Sequence, residues 1–298
     1  MDLRQIRYFV ATARLGSFTR AAEQLRIAQP AISMAVRRLE DELELPLLNR
    51  QDKRVTLTAE GEIFLEHALR LLGDVKTAEQ EMADLRGLEK GEVRIGIPPM
   101  SAYFFPDIIR DFKQRYPQLT LSVYGEGGWR IQKMIVQGEL DMGIIAGRNV
   151  PDALDTRQFV REEVVICIPP GHPFAGRSGV PFSEFIQQPL LFFKEGYYLR
   201  ELMQEMVKGA GAELRIVFET NLFSLVKPLV KNGLGISTFL RVVVAGDNDL
   251  VAVSFDPPLY IDLLIAWKRG AYLSRANRAF VDFMLERIAE YGEDQGKR

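Results

Sequence analysis

Side chains with the chemistry of catalysis are scarce in this sequence. It holds one cysteine, Cys167, and two histidines, His67 and His172. His172 sits in the turn Gly171-His172-Pro173-Phe174, and the spacing sets no nucleophile or carboxylate beside it. It therefore reads as an imidazole that fixes a loop rather than a catalytic base. His67 falls on a long helical stretch, at solvent or at a dimer seam, and Cys167, inside Val164-Val165-Ile166-Cys167-Ile168, reads as a small buried hydrophobe. Three such residues furnish no transition-metal site. No G-x-x-x-x-G-K-[ST] loop is present, and Gly125, Gly127 and Gly128 do not complete a dinucleotide fingerprint; a G-x-S-x-G elbow is also missing. An enzyme is disfavoured, and neither a metal nor a cofactor is expected. The chemistry left is electrostatic. Residues 1–57 carry ten basic side chains against seven acids, whereas residues 58–90 carry four against eight. A basic head on a chain of net charge −2 can still meet a polyanion, although an unevenly charged, solvated surface would look the same.

The elements that would position this head are helical. Leu3, Ile6, Phe9, Val10 and Ala13 recur at helical spacing up to Gly16-Ser17. Thr19 is expected to cap a short second helix with Ala22 and Leu25 on its inner face. Gln29-Pro30 opens a third, since proline suits a first turn where its missing N–H costs nothing. Its buried stripe is Ile32, Val36, Leu39 and Leu43, which turns Ala31, Ser33, Met34, Arg37 and Arg38 outward. Two short helices with a tight turn, the second presenting small polar and arginine side chains, describe a helix-turn-helix. Residues 46–57 suit a small basic hairpin, or wing, around Gln51-Asp52-Lys53. From Glu60 to Lys90 no proline occurs, and Leu65, Leu69, Leu72, Val75, Met82 and Leu85 form a narrow stripe. Pairing with a second copy would bury it, and packing on its own domain is the plainer alternative. Gly87 and Gly91 mark a linker.

Beyond Glu92 strand and helix patterns alternate, predicting a largely parallel sheet covered by helices and divided into two similar α/β lobes. Ligands of such sheets bind in a cleft at the carboxyl ends of the strands. The 298 residues suffice for about two domains, and a composition of 47% hydrophobic and 26% charged residues is ordinary for a globular chain. A single cysteine permits no internal disulfide, the first residues lack a signal-peptide pattern, and no apolar run spans a bilayer. A cytoplasmic protein with no membrane partner is expected.

The run AAEQLRIAQPAISMAVRRLEDELELPLLNRQDKRVTLTAEG resembles the amino-terminal signature of LysR-type transcriptional regulators. Ala21-Ala22, Leu25, Gln29-Pro30-Ala31-Ile32-Ser33, Arg37-Arg38-Leu39-Glu40, Leu43, Arg50 and Leu57-Thr58-x-x-Gly61 fall in register. The likeness continues through Phe112 to Pro117, Gly138-Glu139-Leu140-Asp141-Met142-Gly143-Ile144, Gly171-His172-Pro173, Val230-Lys231-Asn232-Gly233-Leu234-Gly235-Ile236 and Ala279-Phe280-x-x-Phe283. It implies a winged helix-turn-helix over 1–58 and a dimerisation helix over 59–90. It further implies an effector domain over 91–298 resembling a type 2 periplasmic binding protein, with lobe I as 92–161 plus 268–298 and lobe II as 162–267. The implied partners are promoter DNA, a second copy in a homodimer or dimer of dimers, and a small-molecule effector that changes the arrangement of the heads.

By the same resemblance the DNA contacts are Gln29, Pro30, Ser33, Arg37 and Arg38, with Arg50, Lys53 and Arg54 on the wing. A glutamine amide can pair bidentately with adenine and a proline ring can touch a thymine methyl, while serine and arginine hold phosphates. The plainer reading has Arg37 and Arg38 paired with Glu40, Asp41 or Glu42 along the helix. Three positions depart from the family pattern: Met34, where readout would be apolar; Glu44, in place of a common glycine; and Leu48-Asn49, in place of Phe and an acid. Family members place effector contacts in the loops that here contain Met100, Ser101, Trp129, Gly147, Phe193, Lys194, Thr220 and Asn221. Ser101 and Asn221 are equally suited to capping the helices that follow, and Trp129 and Phe193 to the core. Helix amino termini favour anions, so a small organic acid is the expected effector. The competing readings are effector lobes that serve only for assembly, and an enzyme fused to a DNA-binding head.

Overall fold

The computed structural model describes residues 1–50, 55–85, 91–211 and 213–295, with side chains in the last helix as far as Arg287. The chain divides into two compact units, Met1–Gly87 with Val136–Glu139, and Leu88–Ile135 with Leu140–Arg298.

In the first unit, α1 (Leu3–Leu15) opens with a capping box. The Asp2 carboxylate accepts from the Gln5 N–H at 2.8 Å, and the Gln5 side chain accepts from the Asp2 N–H at 2.7 Å. Two donors that a helix start would otherwise leave bare are thereby satisfied. Helix α2 (Phe18–Leu25) is capped by Ser17, whose hydroxyl accepts from the Arg20 N–H, and not by Thr19. Gly16 takes up the left-handed conformation that ends α1, so the chain is extended at Ser17 and the next helix starts there. Helix α3 (Gln29–Leu43) carries Pro30 in its first turn and buries Ile32, Val36 and Leu39 against Ile6, Phe9 and Ala21. It ends on Glu44, at φ 54°, a conformation in which any side chain is strained. Glu44→Gly is expected to stabilise the head by about 0.5–1 kcal/mol, read as a higher urea midpoint; a lower midpoint would show that the glutamate side chain contributes something the glycine loses.

Strands β1 (Leu48–Asn49) and β2 (Thr56–Leu57) pair antiparallel with Leu48 opposite Leu57. The tip of this hairpin, including Lys53 and Arg54, lies outside the described residues. Helix α4 (Ala59–Leu85) has 27 residues and is ~40 Å long at 1.5 Å per residue. It is capped by the Thr58 hydroxyl, which accepts from the Gly61 N–H at 2.9 Å. The apolar stripe on α4 is shared between two tasks. Phe64, Leu65, Leu69 and Leu72 pack against the head's own core, with Phe64 edge-on to Phe9 at 5.2 Å. Of the two readings of this part of the stripe, packing on the chain's own domain describes Leu69, which is buried, while Leu65 and Leu72 stay half-buried. Ile63, Leu71, Met82 and Leu85 are the large apolar side chains that α4 leaves exposed.

In the second unit the chain runs β3 (Glu92–Gly96), a short 3-10 helix (Ser101–Phe104), α5 (Phe105–Arg115), β4 (Thr120–Tyr124), α6 (Gly128–Val136) and β5 (Met142–Ala146). It continues through β6 (Leu154–Ile168), β7 (Val180–Pro181), α7 (Phe182–Phe185), β8 (Leu190–Phe193), α8 (Tyr198–Ala210) and β9 (Ile216–Thr220). Last come α9 (Phe223–Lys231), β10 (Ser237–Leu240), α10 (Arg241–Val244), β11 (Val251–Lys268) and α11 (Arg275–Gln295). The main sheet has the order β10-β6-β11-β5-β3-β4, and β8 pairs β9 in a separate ribbon.

The main sheet is mixed, not largely parallel. Strand β3 runs parallel to β4 and β5, but β11 is antiparallel to β5 and β6, and β6 to β10. The cause is that β6 and β11 each pass through both lobes, one outward and one back, and two such passes must oppose each other. The lobes therefore join within strands rather than in loops. Leu263–Trp267 pair with β5 and so belong with the first lobe's strands, where 162–267 had been expected to form the second. The register of β11 against β6 shifts between Ser254 and Leu259, close to the crossing. In the core, Phe112 meets Phe280 at 4.8 Å, and Arg94 and Asp141 form a bidentate pair at 2.6 Å that fixes the turn into β5 on β3.

Candidate functional site

On the head, Gln29, Pro30, Met34, Arg37 and Arg38 of α3 are exposed and Ser33 is half-buried. Met34 is 55% exposed, unusual for a methionine, and it stands on the face opposite Ile32, Val36 and Leu39. No side chain caps α3; Pro30 has no N–H to leave bare, and the Ala31 N–H donates to the Ala28 carbonyl at 3.0 Å. Two of the three acids that might have neutralised the arginines, Glu40 and Glu42, are otherwise engaged. Glu40 accepts from the Leu47 and Leu48 N–H groups at 2.9 and 3.0 Å and pairs with Arg50 at 2.5 Å. Glu42 pairs with the chain's amino terminus and with the Gln5 amide. Arg37 and Arg38 form no ion pair among the described residues, contrary to the plainer reading of their neighbours. Arg50 is the different case: its guanidinium is held by Glu40 and lies 5.4 Å from the Phe18 ring centroid. It ties the root of the wing to α3 and has less charge to offer outward.

In the second unit a cleft lies between the lobes. Its inner chamber, about 50 Å³, is walled by Pro98, Met100, Ser101, Tyr197, Phe223 and Leu263. Its outer chamber, about 360 Å³, is bounded by Trp129, Gln132, Arg148, Tyr198, Glu201 and Glu205. Gly128, Ala146 and Tyr198 line both, so the two are neighbours across these residues. Ser101 is 2% exposed and turns onto the inner chamber that it lines. It stands as the first residue of its helix rather than as the cap, a position held by Met100.

The sequence-expected cleft residues divide. Met100 and Ser101 line the inner chamber, and Trp129, 66% exposed, stands at the outer one. Gly147 sits beside the cleft, donating its N–H to the Asp262 carbonyl at 2.7 Å. Phe193 is core, stacked on Phe223 at 5.7 Å. Thr220 is buried and its hydroxyl accepts from the Leu222 N–H at 2.9 Å, making a turn ahead of α9. Asn221 and Lys194 are exposed and line neither chamber; Leu222, not Asn221, precedes α9 as its cap. Tyr197, Tyr198, Glu201 and Glu205 were missed. The signal for them was the Gly196-Tyr197-Tyr198 run directly after an apolar strand, which begins α8 without a polar cap. Arg148, an exposed cation at the outer chamber, lies 3.5 Å from Glu205.

Three titratable groups of the cleft are partly desolvated, whereas Arg148 and Glu205 stay exposed. Burial pushes Tyr197 and Tyr198 up, and burial, then the neighbouring Glu205, raises Glu201 above the ordinary carboxylate range. Elsewhere the titratable groups are structural. His172 accepts from the Phe174 N–H at 3.2 Å and fixes its loop, with burial lowering its pKa. Cys167 is fully buried and pushed up to about 12 by desolvation, so its thiolate is suppressed at neutral pH. Among the described residues no cluster could hold a metal ion, and no helix is long and apolar enough to cross a membrane.

Comparison with known proteins bears on both halves of this arrangement. The description "Bacterial regulatory helix-turn-helix protein, lysR family" matches residues 3–62, and "LysR substrate binding domain" matches residues 86–289. The chain belongs to the LysR family. It is a DNA-binding transcriptional regulator with a substrate-binding domain, and not an enzyme. LysR regulators bind promoter DNA and small-molecule effectors and assemble as oligomers. Among similar proteins is an uncharacterised HTH-type transcriptional regulator, YwbI, of Bacillus subtilis, 32% identical over 287 residues and 95% of each chain. A RuBisCO operon transcriptional regulator of Allochromatium vinosum is 31% identical over 97% of each chain. A full-length OxyR variant from Pseudomonas aeruginosa shares the fold, with a TM-score of 0.71 at 24% identity over 95% of this LysR chain and 94% of that one.

Proposed function

We propose that this LysR regulator reads promoter DNA with the outward face of α3 and senses a small organic acid in the cleft between its effector lobes. On the DNA side, Arg37 and Arg38, which form no ion pair among the described residues, hold phosphates, as does Ser33, while Gln29, Pro30 and Met34 reach base edges. Arg50 braces the wing. Exposed Leu71, Met82 and Leu85 on α4 give a second copy an apolar face to cover.

On the effector side, the observation that carries the reading is the Ser101 hydroxyl. The residue is 2% exposed and lines the inner chamber, so its hydroxyl is placed to donate to a carboxylate that enters there. Occupation of the cleft from both lobes would set their relative angle, and through it the geometry of the heads on the promoter.

Two measurements test the two sides. Arg37→Ala is expected to weaken binding on every sequence and to reduce the log–log salt slope by about one; an unchanged slope removes Arg37 from the contacts. A panel of small carboxylates is expected to contain at least one that raises the thermal midpoint, since a ligand at 100 times its Kd stabilises by about 2.7 kcal/mol. That rise should vanish in Ser101→Ala. A flat response to the panel would leave the DNA-binding head in place and remove the acid effector.

A further inference from the structure

The charge inside the outer chamber does not suit a simple acid. The one cation among its lining residues, Arg148, is already met by Glu205. Glu201, one helical turn before Glu205, lines the same space, and among the described residues no cation lies within ion-pair distance of it. Trp129 presents its ring at the same opening, and an indole face attracts a cation just as a carboxylate does. The chamber thus holds two carboxylates and an aromatic face against one engaged guanidinium. At the other end, the Ser101 hydroxyl, on a residue 2% exposed, and the first N–H groups of α8, which no side chain caps, can donate to a carboxylate beside Tyr198, a residue that lines both chambers. The inner chamber is apolar, and its 50 Å³ admits about four non-hydrogen atoms if each takes the space of one water-sized probe.

Resting on the reading of the cleft as the effector site, we propose that the effector is a free α-amino acid with a short branched or thioether side chain. Its ammonium lies between Glu201 and the Trp129 ring, its carboxylate at Ser101 and the first turn of α8, and its side chain in the inner chamber against Met100 and Leu263. Both ends of the ligand are then matched, whereas a plain acid leaves Glu201 without its counter-charge.

The test is calorimetric titration of the full-length protein with leucine and methionine, beside isocaproate, which lacks the amine, and isoamylamine, which lacks the carboxylate. An amino acid is expected to bind at least about tenfold more tightly than either truncated analogue, a difference of ~1.4 kcal/mol. In Glu201→Gln that advantage over isocaproate should disappear while isocaproate binding stays within about twofold, or ~0.4 kcal/mol. Isocaproate binding as tightly as leucine would overturn the amino-acid assignment and leave the acid-sensing cleft standing. An advantage that persists in Glu201→Gln would overturn the placement of the ammonium. Silence from both amino acids overturns the proposal, while the separate carboxylate panel decides the fate of the cleft.

Discussion

Gly61→Ala is expected to destabilise the DNA-binding head by about 3 kcal/mol, against the direction that helix propensity alone would give. In the middle of an exposed helix the change would favour folding by roughly 1 kcal/mol. Here a Cβ on Gly61 would stand 2.0 Å from the Leu47 carbonyl oxygen and 3.2 Å from the Leu57 side chain. That carbonyl cannot retreat cheaply. It accepts from the Thr58 N–H at 3.0 Å, the Leu47 N–H is held by Glu40, and the Thr58 hydroxyl donates to the adjacent Pro46 carbonyl at 2.7 Å. The first turn of α4 must move instead, which pulls Phe64, Leu65 and Leu69 off the core beneath α1 and α3. Urea unfolding followed by helix circular dichroism should show the loss, and operator binding should fall with it. Gly209→Ala is the internal contrast: a Cβ there meets nothing within 4 Å, so a gain of up to ~1 kcal/mol is expected. Gly61→Ala proteins as stable as wild type would mean that α4 does not rest on Leu47 as closely as the structure has it.

The same glycine shows which parts of this molecule a sequence discloses. The head was legible because its signals are local: a 3.6-residue period on α3, a proline in its first turn, glycine where α1 ends. Even there the cap moved from Thr19 to Ser17, since the left-handed turn at Gly16 decides where the chain is extended. The length of β6 and β11 was not legible. Arg157, Gln158 and Glu162 on one and Asp256-Pro257-Pro258 on the other interrupt the apolar pattern, and proline argues against a strand interior. These strands persist because they pair with each other on both sides of that interruption, over Val251–Ser254 and again over Leu259–Lys268 of β11. The cleft was half legible for a similar reason. Met100 and Ser101 sit on a loop next to a strand, where a parallel sheet announces its ligand side, but Tyr198 and Glu201 are brought opposite them only when the second lobe folds over from some hundred residues later. Sequence spacing carries no trace of that approach.

Gly127 is where the approach can be tested. It precedes α6 in the first lobe, and its Cβ position lies 2.5 Å from the carbonyl oxygen of Gly196, in the loop ahead of α8 in the second. Gly196 itself has φ 91°, so its backbone is not free to turn the carbonyl aside at the cost of a side-chain rotation. The two loops touch backbone to backbone beside the outer chamber, and a methyl group at 127 acts as a wedge between the lobes. Neither lobe's core is altered, so Gly127→Ala should leave the ligand-free midpoint within about 1 kcal/mol of wild type. What changes is the cleft. Amide hydrogen exchange at residues 196–199 should quicken, and any carboxylate that stabilises the wild type should bind about tenfold more weakly, a loss near 1.4 kcal/mol. Gly125→Ala, two residues away with open space around its Cβ, should show neither effect. If both variants respond alike, the loop is merely sensitive to substitution and the lobes do not meet there. If only Gly127→Ala responds, the distance between these two glycines is a limit on how far the cleft can close, and a ligand gains affinity only by filling the space that limit leaves.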